Sequence, residues 1–358
     1  MPDSTLSPTI EAEVPSAAKA SSAAKAPEDK SEDRQYDAAM RPRSFDEYVG
    51  QAHVKEALKI ALDAAKMRNE SIEHVLIYGG PGLGKTTLAH IIANHLSAPL
   101  RVTSGPAIER AGDLAAILTN LEPGSVLFID ECHRLPKTVE EILYPAMEDR
   151  ALDLVIGKGP GARTLRIDLP PFTLVAATTR LSLLSSPLRD RFGHHFHIDA
   201  YNQEDIAEIL RRNSVRLGLE HIAPDALSLI ASRARGTPRI ANRILKRIRD
   251  IAQVESTAQL DRSFVSGALE RLHIDPLGLD AVDRKLLDSL TGVFNGGPVG
   301  LQAWAAATAQ EMSTIEEIYE PFLLQLGLVD RTARGRVATK RAYEHLGKNM
   351  PEVQQPLL

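Results

Sequence analysis

The sequence predicts an α/β domain on a mostly parallel sheet with an inserted β-hairpin, followed by an all-helical domain and a winged-helix domain. Three observations predict it. Short apolar runs alternate with amphipathic helical stretches from residue 75 to about 198, the rhythm of strands joined by crossover helices. From 200 to about 273 only helical periodicity is present. Beyond 274, short helices lead into "GLVDRTARGRVAT", an apolar–basic–apolar hairpin pattern.

The 358 residues allow two or three domains. A net charge of -5 excludes a chain attracted to nucleic acid as a whole, so any DNA contact requires a local basic patch. The single cysteine, Cys132, excludes an intramolecular disulfide and fits a reducing cytoplasm. No apolar run approaches the roughly 20 residues that span a bilayer. Residues 1–36 are rich in Ala, Ser, Pro and Lys and hold almost no large apolar side chains. They are expected to form a disordered tail, and 347–358 a C-terminal tail.

The elements follow in order. Val54, Leu58, Ala61 and Leu62 recur at helical spacing. The strands are "VLIY" (75–78), "LRVTS" (100–104), "SVLFID" (125–130) and "FTLVAATT" (172–179). Residues 151–169 break the rhythm: Leu152, Leu154 and Ile156 alternate on one arm, Leu165, Ile167 and Leu169 on the other, around the turn "GKGPG". That is a β-hairpin, and its apolar face needs a cover from the host domain or from a partner. In "TPRIANRILKRIRDIA", Ile240, Ile244, Ile248 and Ile251 predict one buried helical stripe.

"GGPGLGKTTLAH" (79–90) follows the first strand, with a helix predicted from about Thr86. Gly79-x4-Gly84-Lys85-Thr86 is the spacing of a Walker A loop, which binds ATP or GTP. Gly79, Gly82 and Gly84 let backbone N–H groups turn onto phosphate oxygens, and the helix N-terminus adds positive potential. Lys85 is placed to reach the β and γ phosphates, and Thr86, followed by Thr87, offers a hydroxyl to Mg²⁺.

"VLFIDECH" ends a buried strand on Asp130 and Glu131, at the edge where open α/β sheets bind ligands. Asp130 is expected to orient Mg²⁺ through water, and Glu131 to polarise the attacking water as general base. Thr179 ends another strand, where it can hold that water, sense the γ-phosphate or merely cap a turn. Arg189 and Arg191 follow it, and Arg239 opens a helix of the next domain. A guanidinium at the γ-phosphate is worth about 10³–10⁵ in rate, roughly 4–7 kcal/mol. Cys132 reads as a core residue. His195 and His197 would share one strand face, but two ligands are too few for a structural zinc site.

Together "RPRSFDEYVGQ", "GGPGLGKTTLA", "VLFIDECHRL", "LYPAMED", "DLPPFTLVAATTR", "SPLRDRF", "RARGTPRIANR" and "GGPVGL" resemble the AAA+ ATPases and, within them, the RuvB family of bacterial Holliday-junction branch-migration motors. The resemblance runs in order from about 36 to 346. It implies an α/β P-loop AAA+ ATPase domain over 37–199 with the hairpin 151–169, a helical lid over 200–273 and a winged-helix DNA-binding domain over 274–346. It implies ATP with Mg²⁺, and hydrolysis coupled to translocation of duplex and four-way junction DNA in recombination and repair. It also implies a cytoplasmic homo-hexamer off the membrane, with a RuvA-like junction-binding partner and a RuvC-like resolvase. By position, Arg191 corresponds to the arginine finger acting in trans, Arg239 to the sensor-2 arginine acting in cis and Thr179 to sensor 1. Met40, Arg41 and Tyr201 correspond to residues beside the base and sugar. Gly80 stands where proline is more usual.

Arg331, Arg334, Arg336, Lys340 and Arg341 fall within eleven residues that include no acid. On a hairpin, Arg334 and Arg336 are expected to project to one side and to touch phosphates without reading sequence. The basic run 233–249 alternates with the Ile240 stripe and reads as lid packing and phosphate sensing. The hairpin 151–169 resembles the element that docks on RuvA, with Ile156 and Leu165 as anchors. Two alternatives stand beside this reading. One is a clamp-loader-like AAA+ switch acting on DNA, which carries a collar instead of a winged helix. The other is a non-enzymatic DNA-binding regulator, which has no need of Glu131.

Overall fold

The computed structural model describes residues 40–156 and 163–351. The chain divides into Met1–Met40 and Arg41–Leu358, and the second unit is described here. In chain order its first domain runs α1 (Ala52–Arg68), β1 (Val75–Gly79), α2 (Lys85–Leu96), β2 (Leu100–Ser104), α3 (Ala111–Thr119), β3 (Ser125–Asp130), α4 (Lys137–Glu148), β4 (Ala151–Ile156), β5 (Arg163–Asp168), β6 (Phe172–Thr178), α5 (Ser186–Arg189) and β7 (His194–Ile198).

Five of these strands pair in parallel in the order β2-β3-β6-β1-β7. Alternate residues Leu76, Leu127, Ile129, Leu174 and Ala176 share a core with α3 and α4. The intervening Val75, Ile77, Phe128 and Val175 are equally buried. Burial on both faces is why these strands are continuously apolar. The order also sets β6 between β1 and β3, so its C-terminal end emerges between the glycine loop and Asp130.

The hairpin β4–β5 forms its own two-stranded sheet, with Leu152 opposite Ile167 and Leu154 opposite Leu165. Its base is covered by the host domain: Leu152 and Leu169 join the core with Met147 of α4. Further out, Leu165 is 47% exposed. The "GKGPG" turn and the Ile156 side chain lie outside what is described.

The second domain is α6 (Gln203–Arg216), α7 (Pro224–Arg233), α8 (Pro238–Val254) and α9 (Arg262–Arg271). Pro224 and Pro238 occupy the first turn of their helices, where no N–H is required. The buried face of α8 is Ala241, Ile244, Leu245, Ile248 and Ala252, while Ile240 and Ile251 are only half-buried. The expected isoleucine stripe is thus displaced. Ala241, Ile248 and Ala252 hold the centre of the face, and the outer Ile240 and Ile251 lie at one margin.

The third domain is α10 (Ala281–Thr291), α11 (Leu301–Thr308), a helical run α12 (312–325), the hairpin β8 (Val329–Thr332) and β9 (Gly335–Ala338), and α13 (Lys340–His345). Val299 makes an isolated antiparallel bridge to Arg336 at the edge of this two-stranded wing. Trp304 is fully buried, and its Nε1–H donates to the Leu286 carbonyl (3.1 Å) and Ser289 Oγ (3.0 Å). Arg334 sits in the β8–β9 turn, so the expectation that it shares a strand face with Arg336 fails. Arg331 and Arg336 are the cross-strand partners, and a directly opposed pair shares a face. No helix among the described residues is long and apolar enough to cross a membrane.

Candidate nucleotide-hydrolysis site

The glycine loop joins β1 to α2, whose first residue is Lys85. Gly79 has φ 148°, and a Cβ there would lie 2.4 Å from the Ile198 carbonyl. Gly82 has φ 77°, and a Cβ would lie 2.9 Å from both Arg239 Cβ and Thr237 Cγ2. Side chains are excluded at both positions, and Gly82 is where the lid touches the loop. Gly80 differs: a Cβ would meet only Leu83 Cδ1, at 3.4 Å, so glycine is not required there.

No side chain caps the N-terminus of α2, which leaves its first N–H groups to an anion. Buried Lys85 donates to the carbonyls of Gly79 (2.9 Å) and Gly80 (2.8 Å). Burial lowers its pKa, against the pull of Asp130 and Glu131. Thr86 Oγ1 donates to Asp130 Oδ2 at 3.2 Å, so these two oxygens stand close enough to share a cation. Thr87 follows, half-buried.

Glu131 leaves β3 in the left-handed region (φ 49°, ψ 44°), which costs a non-glycine residue about 1–3 kcal/mol. Its N–H donates to Asp130 Oδ1 at 3.0 Å. Gly105 makes room, since a Cβ there would lie 2.4 Å from the Glu131 carbonyl. The strain turns Glu131 toward the end of β6, where Thr179 Oγ1 donates to Glu131 Oε2 at 3.3 Å. His133 Nδ1 lies 2.9 Å from Thr178 Oγ1 and 3.4 Å from Glu131 Oε2. Burial holds this imidazole below its ordinary pKa. Sequence reasoning passed over His133, although it stands two residues from the expected base in "DECH".

The lid closes one side. Arg239 N–H donates to the Gly82 carbonyl at 3.4 Å, and its side chain is exposed. Tyr201 is buried, with its hydroxyl donating to the Leu83 carbonyl at 3.3 Å and its N–H to the Gly236 carbonyl at 2.9 Å. Burial pushes its phenol up to about 12. Arg41 is half-buried, and its charge adds to burial in lowering the pKa of His90. Met40 belongs to the other unit and is not placed against this site.

Arg191 stands apart from these groups. Its Nη1 donates to the Pro187 carbonyl (2.6 Å), its Nη2 to Glu148 Oε2 (3.2 Å), and its guanidinium lies 4.3 Å from the centroid of Tyr144. Arg189 Nη2 donates to Ser186 Oγ at 3.3 Å. His195 Nε2 lies 3.1 Å from the carbonyls of Arg189 and Phe192, and His197 pairs with Asp199 at 3.1 Å. Each histidine is thus engaged separately, and no metal-binding cluster exists among the described residues. Cys132 is buried, and burial with the Glu131 and Asp130 charges pushes its thiol well up.

The wing is not the free basic surface that spacing implied. Arg331 and Arg336 both grip buried Glu320 of α12. Arg331 Nε and Nη2 lie 3.0 and 2.9 Å from its two oxygens, and Arg336 Nε and Nη2 lie 2.8 and 2.9 Å from them. Burial pushes the Glu320 carboxyl up, and the Arg336 and Arg331 guanidiniums overcome it, holding it below the ordinary range. Of the three wing arginines singled out, only Arg334 has no guanidinium partner among the described residues. Glu320→Gln would leave the largely enclosed Arg336 guanidinium uncompensated, so it should destabilise the winged helix by about 3 kcal/mol. Denaturant titration of the full chain, followed by Trp304 fluorescence, measures this. A folded pKa below the unfolded one gives stabilisation that is complete above the ordinary carboxylate range and lost as pH falls through the folded value. The Gln variant should therefore lose that acid sensitivity.

A phosphate loop whose glycine abuts a helical lid, with a strained acid at the neighbouring strand end, defines an AAA+ ATPase. Residues 40–198 match the family model described as Holliday junction DNA helicase RuvB P-loop domain; 201–275 match the RuvB AAA lid domain, and 276–347 the RuvB C-terminal winged helix domain. The chain is 57% identical to the Holliday junction branch migration complex subunit RuvB of Chloroflexus aggregans, over 92% of this chain and 94% of that one. The corresponding subunit of Chloroflexus aurantiacus is likewise 57% identical over the same shares. A solved structure of the Thermotoga maritima RuvB Holliday junction branch migration motor matches with a TM-score of 0.80 and 50% identity, covering 87% of this chain and 100% of that one. The chain belongs to the RuvB family. A winged helix over 276–347 stands where a clamp loader would carry its collar, and the P-loop ATPase match sets aside the non-enzymatic alternative.

Proposed function

We propose that the protein is the ATP-driven motor subunit of a branch migration complex and moves Holliday junction DNA as a homo-hexamer. The observation that carries the coupling is the meeting of Gly82 with Thr237 and Arg239. A nucleotide held by Lys85 on one side and Arg239 on the other sets the angle between the ATPase domain and the lid. In this reading Lys85 exchanges its loop carbonyls for β and γ phosphate oxygens. Thr86, and Asp130 through water, hold Mg²⁺, which neutralises charge developing on the phosphates. Glu131 takes the proton of the attacking water, with Thr179 fixing the carboxylate. Arg191 reaches a neighbour's γ-phosphate, while Arg41 and Tyr201 flank the base and sugar. Arg334, with Arg331 and Arg336 when released, meets DNA phosphates.

A RuvA-like partner docks on the outer hairpin at Ile156 and Leu165. A RuvC-like resolvase joins the larger complex, and the assembly works in the cytoplasm. The test is ATP-dependent dissociation of a synthetic four-way junction, with and without RuvA from the same organism. Wild type should split the junction only with ATP, and Lys85→Ala should not. Leu165→Asp should lose the RuvA-dependent part at unchanged melting temperature, because that side chain is 47% exposed and surface substitutions usually stay within about 0.5 kcal/mol. DNA-stimulated hydrolysis without junction movement would overturn the motor reading, and normal RuvA binding by Leu165→Asp would overturn the docking site.

A further inference from the structure

The end of β6 is gripped from three directions at three successive residues. Thr178 is buried, and its Oγ1 accepts from Arg180 N–H at 2.9 Å and meets His133. Thr179 donates to Glu131. The Arg180 side chain leaves the ATPase domain altogether: its Nη2 pairs with Glu317 and lies 3.6 Å from Glu316 Oε2, both in the π-helical stretch Ile315–Tyr319 of the winged helix. Glu316 in turn lies 3.8 Å from Arg331, which shares Glu320 with Arg336. A continuous path of charges therefore joins the wing to the residue beside Thr179.

The winged helix is a fixed anchor for that path. Arg235 of the lid pairs with fully buried Asp283 at the start of α10, donates to the Gly278 carbonyl at 3.0 Å and lies 4.5 Å from the centroid of Phe322 in α12. The third domain is thus pinned to the lid four residues before Arg239. A displacement of the winged helix relative to the sheet pulls on Arg180, a route distinct from the lid's contact with the phosphate loop at Gly82.

We propose that Arg180 is a positioning residue for ATP hydrolysis: clamped by Glu317 and Glu316, it sets the strand end that presents Thr179 to Glu131. The proposal rests on the roles given above to Glu131 and Thr179. It makes the turnover step depend on where the winged helix sits, and leaves ATP binding to the loop and lid. It also assigns the acidic pair in "TIEEIYE" a purpose.

The test measures steady-state hydrolysis by the full-length chain with Mg·ATP and circular duplex DNA. Arg180→Glu and Glu317→Arg should each lower kcat about tenfold with KM within about twofold, a coupling of ordinary size. The double variant Arg180→Glu/Glu317→Arg should recover most of the loss. Glu317→Gln, a mild change at a partly exposed site, should lower kcat about threefold and keeps the test open if the charge reversals fold poorly. Wild-type kcat in Glu317→Gln, or folded single variants that the swap does not rescue, would overturn the proposal. Glu131→Gln is run alongside. If it too hydrolyses ATP normally, the site assignment falls and takes the proposal with it; if it is inactive while the Arg180 and Glu317 variants turn over normally, only the proposal falls.

Discussion

Glu131→Gln should bind ATP within about threefold of wild type and turn it over about 10²–10⁴ times more slowly, a loss of roughly 3–5 kcal/mol in the barrier. Glutamine keeps the shape of the side chain and can still accept the Thr179 hydrogen bond, now 3.3 Å long. It cannot take a proton from water. The left-handed backbone at Glu131 is imposed by the close approach of Gly105 and by the Asp130 bond, both independent of the side chain. The geometry should therefore survive the substitution. Phosphate release gives kcat, and a fluorescent ATP analogue gives the dissociation constant. Equal loss of binding and turnover would remove Glu131 from the role of base.

Arg191→Ala should cost about 10³–10⁵ in turnover, as loss of an arginine finger does, while each subunit still binds ATP. The guanidinium rests on Glu148, the Pro187 carbonyl and Tyr144 of its own chain, and makes no contact with Lys85, Asp130 or Glu131 among the described residues. As the proposed finger it acts across a subunit boundary. Mixing decides the matter. An Arg191→Ala subunit still offers Glu131, and a Glu131→Gln subunit still offers Arg191. In randomly mixed head-to-tail rings, about a quarter of the interfaces unite both intact groups. Hydrolysis should return when two inactive variants are combined. No recovery at any mixing ratio would place Arg191 in its own subunit's site or in a purely structural role.

Local pattern carried the fold a long way. The four strands read from the sequence are four of the five in the parallel sheet, and in the three inner ones burial on both faces leaves a continuous apolar run. The fifth, His194–Ile198, is short, borders the sheet and has histidine at three of its five positions, so its pattern is weak. The hairpin 151–169 was visible in its alternation, but not that Leu152 and Leu169 would be covered by the host while Leu165 stays exposed. In α8 the isoleucines drew attention away from Ala241 and Ala252, small residues that hold the centre of the buried face.

The sequence by itself determined that a phosphate loop, its helix and a strand-end acid are present and on which elements they stand, because each is specified by residues close together in the chain. Only the tertiary structure decided what those groups meet. Strand order brought Thr179 to Glu131 across 48 positions. Helix α12 brought Glu320 to Arg331 and Arg336, 11 and 16 positions away, and tied two basic side chains to one buried carboxylate. Arg180 met Glu317 by the same means. Charge pairing depends on distance through space, and a count of basic residues along the chain is blind to acids that another element delivers.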